Sequence, residues 1–133
     1  MNRSETRELA FKLLYQIEIQ KEINQEDIIL FFENNDIQSK QAQDYIEDIV
    51  IGINKNIEDI MNTISKNLKE NWEIERISKI NLALLKLGIY EIVYKELPFK
   101  VVINEVVELA KKYGEETSKV FINGILASVV KEN

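Results

Sequence analysis

The sequence contains no cysteine and no histidine. Together these absences exclude disulfides, thiolate nucleophiles, zinc sites of the usual ligand types and imidazole acid–base catalysis. Proline occurs once, and the four glycines stand far apart at 52, 88, 114 and 124. No GxGxxG or GxxxxGK loop exists to cradle a phosphate, and no cofactor or metal is implied. No apolar run reaches the roughly eighteen residues a membrane span needs. The polar start "MNRSETREL" lacks an apolar signal core, so a cytoplasmic protein is expected. A lysine- or carboxylate-based enzyme stays open on composition alone.

Leucine, isoleucine, glutamate, lysine and asparagine dominate instead, a mixture that suits long helices. The chain has 133 residues, of which 45% are hydrophobic. That supports one compact domain over 1–133 rather than a disordered chain. Net charge is −6, which argues against binding nucleic acid by bulk attraction. The charge is uneven, however. Residues 1–21 carry four basic and three acidic groups, residues 22–75 four and thirteen, and residues 76–133 nine and seven. Both ends are mildly basic around an acidic middle.

Apolar residues recur at helical spacing almost everywhere. A first helix is expected from Ser4 to Lys21, with Leu9, Ala10, Leu13, Leu14 and Ile17 inward and Asn2 or Ser4 as cap. A short second helix, Gln25 to Glu33, turns Ile28, Ile29 and Phe32 inward. A third starts near Ser39 and can run to Leu68, bent or not at Gly52. "ISKINLALLKLGIYEIVY" (77–94) is apolar on most faces and belongs at the centre of the fold. Pro98 separates it from a helix over Val101 to Tyr113, where Gly114 suits a left-handed cap. A last helix covers Thr117 to Lys131. The expected fold is all-α, a bundle of six or seven helices around a central one.

Several polar positions invite a functional reading. Arg7, Phe11 and Tyr15 fall at i, i+4 and i+8, with Arg3 one turn earlier. Guanidinium groups with interleaved rings suit single-stranded RNA. The alternative is core rings and solvated arginines. In "KVFINGIL" (119–126), Asn123 and Gly124 interrupt an apolar helix that each of them weakens. Asn123 projects beside Lys119, and Gly124 projects to the other side. Gly124 either packs on a neighbouring helix or lets another surface come close. Trp72 reads as a core plug between helices, and Glu91 as a satisfied internal contact.

"LLKLGIYEI" (84–92), "LPFKVVINEVVELAKKYG" (97–114) and "KVFINGIL" (119–126) resemble the NusB family in order and spacing. "RELAFKLLYQIE" (7–18) is similar to that family's first helix, and the match is weakest over 22–70. The resemblance implies a NusB-like fold and a non-enzymatic role in transcription antitermination. It implies binding of boxA RNA in ribosomal RNA transcripts together with NusE, a small-subunit ribosomal protein. NusA, NusG and RNA polymerase would complete the assembly, and a homodimer is an open alternative. The RNA contacts it implies are Arg3, Arg7, Tyr15, Lys86, Lys119, Phe121 and Asn123. Only Arg3 and Arg7 remain here of an arginine-rich start, and Lys86 replaces a common arginine. NusB-like domains also serve as accessory parts of RNA methyltransferases, which keeps a pure protein-interaction module in view. With no catalytic domain after Asn133, a free-standing factor is the expectation.

Overall fold

The computed structural model describes residues 1–132 and, among them, contains seven α-helices and no strand. These are α1 (Arg3–Gln20), α2 (Gln25–Asn34), α3 (Lys40–Lys55), α4 (Ile57–Lys66), α5 (Lys79–Ile89), α6 (Phe99–Tyr113) and α7 (Ser118–Glu132). The fold is all-α, as the apolar periodicity predicts.

Asparagines open the first two helices. Asn2 Oδ1 accepts from the Glu5 amide at 2.8 Å, and Glu5 Oε1 accepts from the Asn2 amide at 3.0 Å. Asn24 and Asp27 repeat the exchange at 2.9 and 3.1 Å. Each reciprocal cap satisfies two backbone donors the helix itself cannot. Ser39 and Ser78 cap α3 and α5 through their hydroxyls. In α2 the buried residues are Ile28, Phe31 and Phe32, while Ile29 is 49% exposed. Phe31 and Phe32 stand three and four residues after Ile28 and share its face; Ile29 is turned about 100° away.

The expected third helix is two helices. The break falls at Asn56, not at Gly52. Asn56 Nδ2 donates to the Gly52 carbonyl at 2.8 Å, and its own carbonyl accepts from the Ile60 amide at 2.9 Å. One asparagine thus closes α3 and opens α4. Gly52 serves a different contact: the Tyr90 ring lies where its Cβ would be. The Tyr90 hydroxyl donates to Asp48 at 3.1 Å. Burial, then that hydrogen bond, pushes the hydroxyl up to about 12, so it remains a donor at neutral pH.

α5 is the central helix. Ala83, Leu84, Leu85, Leu87, Gly88 and Ile89 are all buried, and it packs against α1, α6 and α7. A helix apolar on most faces requires such surroundings. Arg7 meets Glu91 and Glu18 meets Lys86, so α1 and the central segment run antiparallel. Past Ile89 the chain winds wider over Tyr90–Tyr94, and the Lys95 amide reaches the Tyr90 carbonyl five residues back at 3.1 Å. Such wide turns shift the phase of the side chains that follow. Here both Tyr90 and Glu91 face inward.

Pro98 holds the N-cap position of α6 without a side-chain cap, and the helix begins at Phe99, two residues before the expected start. The α6 core is Val102, Val106, Leu109 and Ala110, with Ile103 and Val107 half-buried beside it. Gly114 is not a left-handed cap: its φ is −90° and ψ −172°, extended backbone open to any residue. It is tied to proximity instead, because a Cβ there would meet the Ser118 side chain and the Ala110 carbonyl. There Ser118, the first residue of α7, accepts at Oγ from the Glu115 amide at 3.0 Å.

Candidate nucleic-acid interface

The spacing of Arg3, Arg7, Phe11 and Tyr15 predicts one exposed line along α1. The structure divides it. Arg3 is exposed, and its guanidinium lies 4.2 Å from the centroid of the Tyr45 ring on α3, a cation–π contact. Arg7 is 4% exposed. Its Nε donates to Glu91 Oε1 at 2.6 Å, Nη2 to Glu91 Oε2 at 3.4 Å, and Nη1 to Glu105 Oε1 at 3.0 Å. The Tyr45 hydroxyl donates to Glu91 Oε2 at 2.7 Å. Glu91 itself is 1% exposed and is a satisfied internal carboxylate.

Arg7 therefore does not stand where a solvent-side phosphate could reach it. Nε, Nη1 and Nη2 each donate to one of two carboxylates. Burial opposes its charge, but the hydrogen bond and charge of Glu91 outweigh that and raise its pKa. Burial first, then Glu91, also raises the Tyr45 hydroxyl. The network fixes α1 to α3, to α6 and to the wide turn after α5. A cavity of about 370 Å³ beside it has Arg3, Lys95, Asp48 and Glu91 in its walls, so it presents no single sign of charge.

Phe11 is core, as the alternative reading has it. It stacks on Tyr15 at 6.4 Å and meets Tyr113 at 5.1 Å. Tyr15 is half-buried. Lys86 is engaged within the fold: its ammonium pairs with Glu18 in a partly buried contact between α5 and α1. Glu8 accepts from Lys112 at 2.7 Å and from the Tyr113 hydroxyl. The Lys112 and Tyr113 hydrogen bonds hold its carboxyl below the ordinary carboxylate range. Lys111 and Lys112 thus find carboxylate partners on α6 and α1.

On α7, Lys119 and Asn123 are exposed one turn apart. Phe121 is half-buried at the opposite edge of the exposed face, its ring 5.5 Å from that of Trp72 at 31°. Trp72 is 49% exposed, so it is not a core plug. A local signal for this exists in "KENWEIER", where the indole stands alone among charged residues without apolar periodicity. Tyr45 carries no comparable local signal. Its role depends on Arg3 and Glu91, both far off in sequence. A Cβ at Gly124 meets nothing within 4 Å, so this glycine is not packed on a neighbouring helix. The structure thus pairs Lys119 with Asn123, Phe121 with Trp72, and Arg3 with Tyr45. Among the described residues, no group of three or more acidic side chains converges to hold a metal ion, and no helix is long and apolar enough to cross a membrane.

Exposed cations, an amide and partly exposed rings thus lie over a fixed helical core. A model of the NusB family matches residues 4–131. The transcription antitermination protein NusB of Acetivibrio thermocellus is 48% identical over 132 residues, covering 98% of this chain and 90% of that protein. NusB of Clostridium acetobutylicum is 43% identical, covering 100% and 98%. Among solved structures, antitermination factors NusB and NusE in complex with double-stranded RNA align with a TM-score of 0.89 and 29% identity, covering 100% of both chains. The chain belongs to the NusB family, a family of transcription antitermination proteins.

Proposed function

We propose that this protein is an antitermination factor that binds the boxA segment of nascent ribosomal RNA transcripts jointly with NusE. In the cytoplasm the pair then joins NusA, NusG and RNA polymerase. Arg3, Tyr15, Lys119, Phe121 and Asn123 make the RNA contacts. Arg7 and Lys86 act through the fold, by setting α1 against its neighbours. The observation that carries this reading is the exposed Lys119–Asn123 pair on α7, with the half-buried Phe121 ring across the exposed face of the same helix and open space in front of Gly124 between them.

The acidity of the chain supports a shared task. With a net charge of −6, the protein gains little from general attraction to phosphate, so affinity depends on local cations and on a basic partner. The two cations among these contacts, Arg3 and Lys119, give a slope of about −1 to −2 in log affinity against log salt for a single strand. The test is to titrate boxA RNA, with and without NusE, at several salt concentrations. Scrambled single-stranded RNA and a double-stranded RNA serve as competitors, since the related NusB–NusE complex contains a duplex. Equal affinity for the scrambled strand in the presence of NusE overturns the specific reading. Arg3→Glu separates RNA binding from partner binding: RNA affinity falls while NusE still binds. Arg7→Glu is unsuitable, because it places a third carboxylate against Glu91 and Glu105.

A further inference from the structure

α7 has one edge left open at Gly124. Phe121, Gly124 and Ser128 stand at i, i+3 and i+7, so they share that edge. The segment ahead of α5 flanks it at both ends: Trp72 packs on Phe121, and the Ser128 hydroxyl bonds Asn67. Between these two contacts, Gly124 faces empty space. Val120, 71% exposed, stands one turn before Gly124. The half-exposed indole of Trp72 stands at one end of this open edge, backed by the Phe121 ring.

We propose that Trp72 is a stacking platform for one unpaired nucleobase, and that the strand reaches it by crossing α7 over Gly124. This inference rests on the RNA-binding reading and adds a subsite to it. Lys119 and Asn123 hold the strand on one side of the exposed face of α7; Trp72 and Phe121 take a base on the other side. The distance between the two sides is about one helix width, roughly 10 Å. A residue with a side chain at 124 would stand in that path, which accounts for a glycine that no internal contact requires.

The local chemistry favours a base over a protein. Residues 22–65 carry two basic and ten acidic groups, but residues 66–76 carry three of each, so the acidic field lapses at this point. Lys119 has no ion-pair partner among the described residues, and Arg76 is held only loosely by Glu73 at 3.9 Å. The residues around Trp72, from Lys69 to Glu73, are exposed and polar. The apolar area is therefore a single indole face with one valine, which matches one base rather than the apolar centre of a protein interface.

Trp72 is the single tryptophan of the chain and reports directly on its own environment. The experiment titrates the NusE-bound protein with boxA RNA, following anisotropy of labelled RNA and tryptophan emission together, with Trp72→Phe as the emission blank. Emission should change in step with anisotropy. Trp72→Ala should weaken RNA binding about 5- to 150-fold, the range a lost base–ring stack gives, while Trp72→Phe keeps most of the affinity. Urea unfolding of both variants excludes a folding defect as the cause. RNA with one abasic position at a time adds a second readout: one abasic site should weaken binding to the parent protein and leave Trp72→Ala unaffected. If RNA binds but the emission stays flat and Trp72→Ala binds as tightly as the parent, the inference falls and the RNA-binding reading stands. If no boxA RNA binds at all, both fall. If NusE alone changes the emission and Trp72→Ala weakens only NusE binding, the surface belongs to the protein partner and the inference is overturned.

Discussion

Replacing Arg7 by methionine tests the account of α1 most severely. The substitution keeps most of the side-chain length and removes the guanidinium. Glu91, 1% exposed, then keeps only the Tyr45 hydroxyl of its present donors. Removing one partner of a buried ion pair costs about 3–5 kcal/mol, mostly because the other charge is left uncompensated. Unfolding entropy of about 2.1 cal/mol/K per residue gives ~0.28 kcal/mol/K for this length, so even 3 kcal/mol lowers Tm by ~11 °C. The assay is urea denaturation at pH 7, with the midpoint expected to fall at unchanged m value. Arg7→Met combined with Glu91→Leu removes both charges and should recover at least half of the loss. A single-variant loss under about 1 kcal/mol, the usual range for an exposed pair, would mean that Arg7 is solvated. A double variant no better than the single one would refute the pairing.

Gly124→Ala should stabilise the isolated protein by about 1 kcal/mol, since alanine is the better helix former and the new methyl group meets nothing; a lowered urea midpoint would show that the space is filled. Gly52→Ala should destabilise by about 1–3 kcal/mol, the usual range for overpacking, because its methyl group would enter the Tyr90 ring; an unchanged Tm would refute that close approach. Glu8→Gln should cost about 0.5–1 kcal/mol at pH 7, as partly exposed ion pairs do. Because the folded carboxyl of Glu8 lies below its unfolded value, this stabilisation is complete above the unfolded pKa and is lost as pH falls through the folded one. The difference between Glu8→Gln and the parent should therefore close in acid, and a constant gap across the titration would refute the assigned partners.

The helices were legible because each needs only local information. Period and punctuation place α1, α2, α6 and α7 to within about two residues, while the expected 77–94 segment divides into α5 and the wide turn after it. The third helix shows where local information stops. Glycine marks a weak point in a helix, but Asn56 supplies the competing hydrogen bonds and takes the break. Gly52 reflects a ring that arrives from far along the chain, which no window of sequence around it displays. Arg7 is the same case. Its spacing with Phe11 and Tyr15 fits a binding line, yet its partners Glu91 and Glu105 are brought to it only by the tertiary fold. Trp72 was more legible than its reading as a plug allows, since charged neighbours on both sides are poor company for a buried indole.

The ring of Tyr90 seated on the bare backbone of Gly52 has a consequence for how α3 can move. A smooth helix flank would tolerate small slides along its neighbour. A ring lodged in a gap one residue long does not, and the hydroxyl anchored on Asp48 one turn earlier fixes the direction as well. The two segments can therefore align in one setting only, so disturbance of α3 should be transmitted whole to the central helix or not at all.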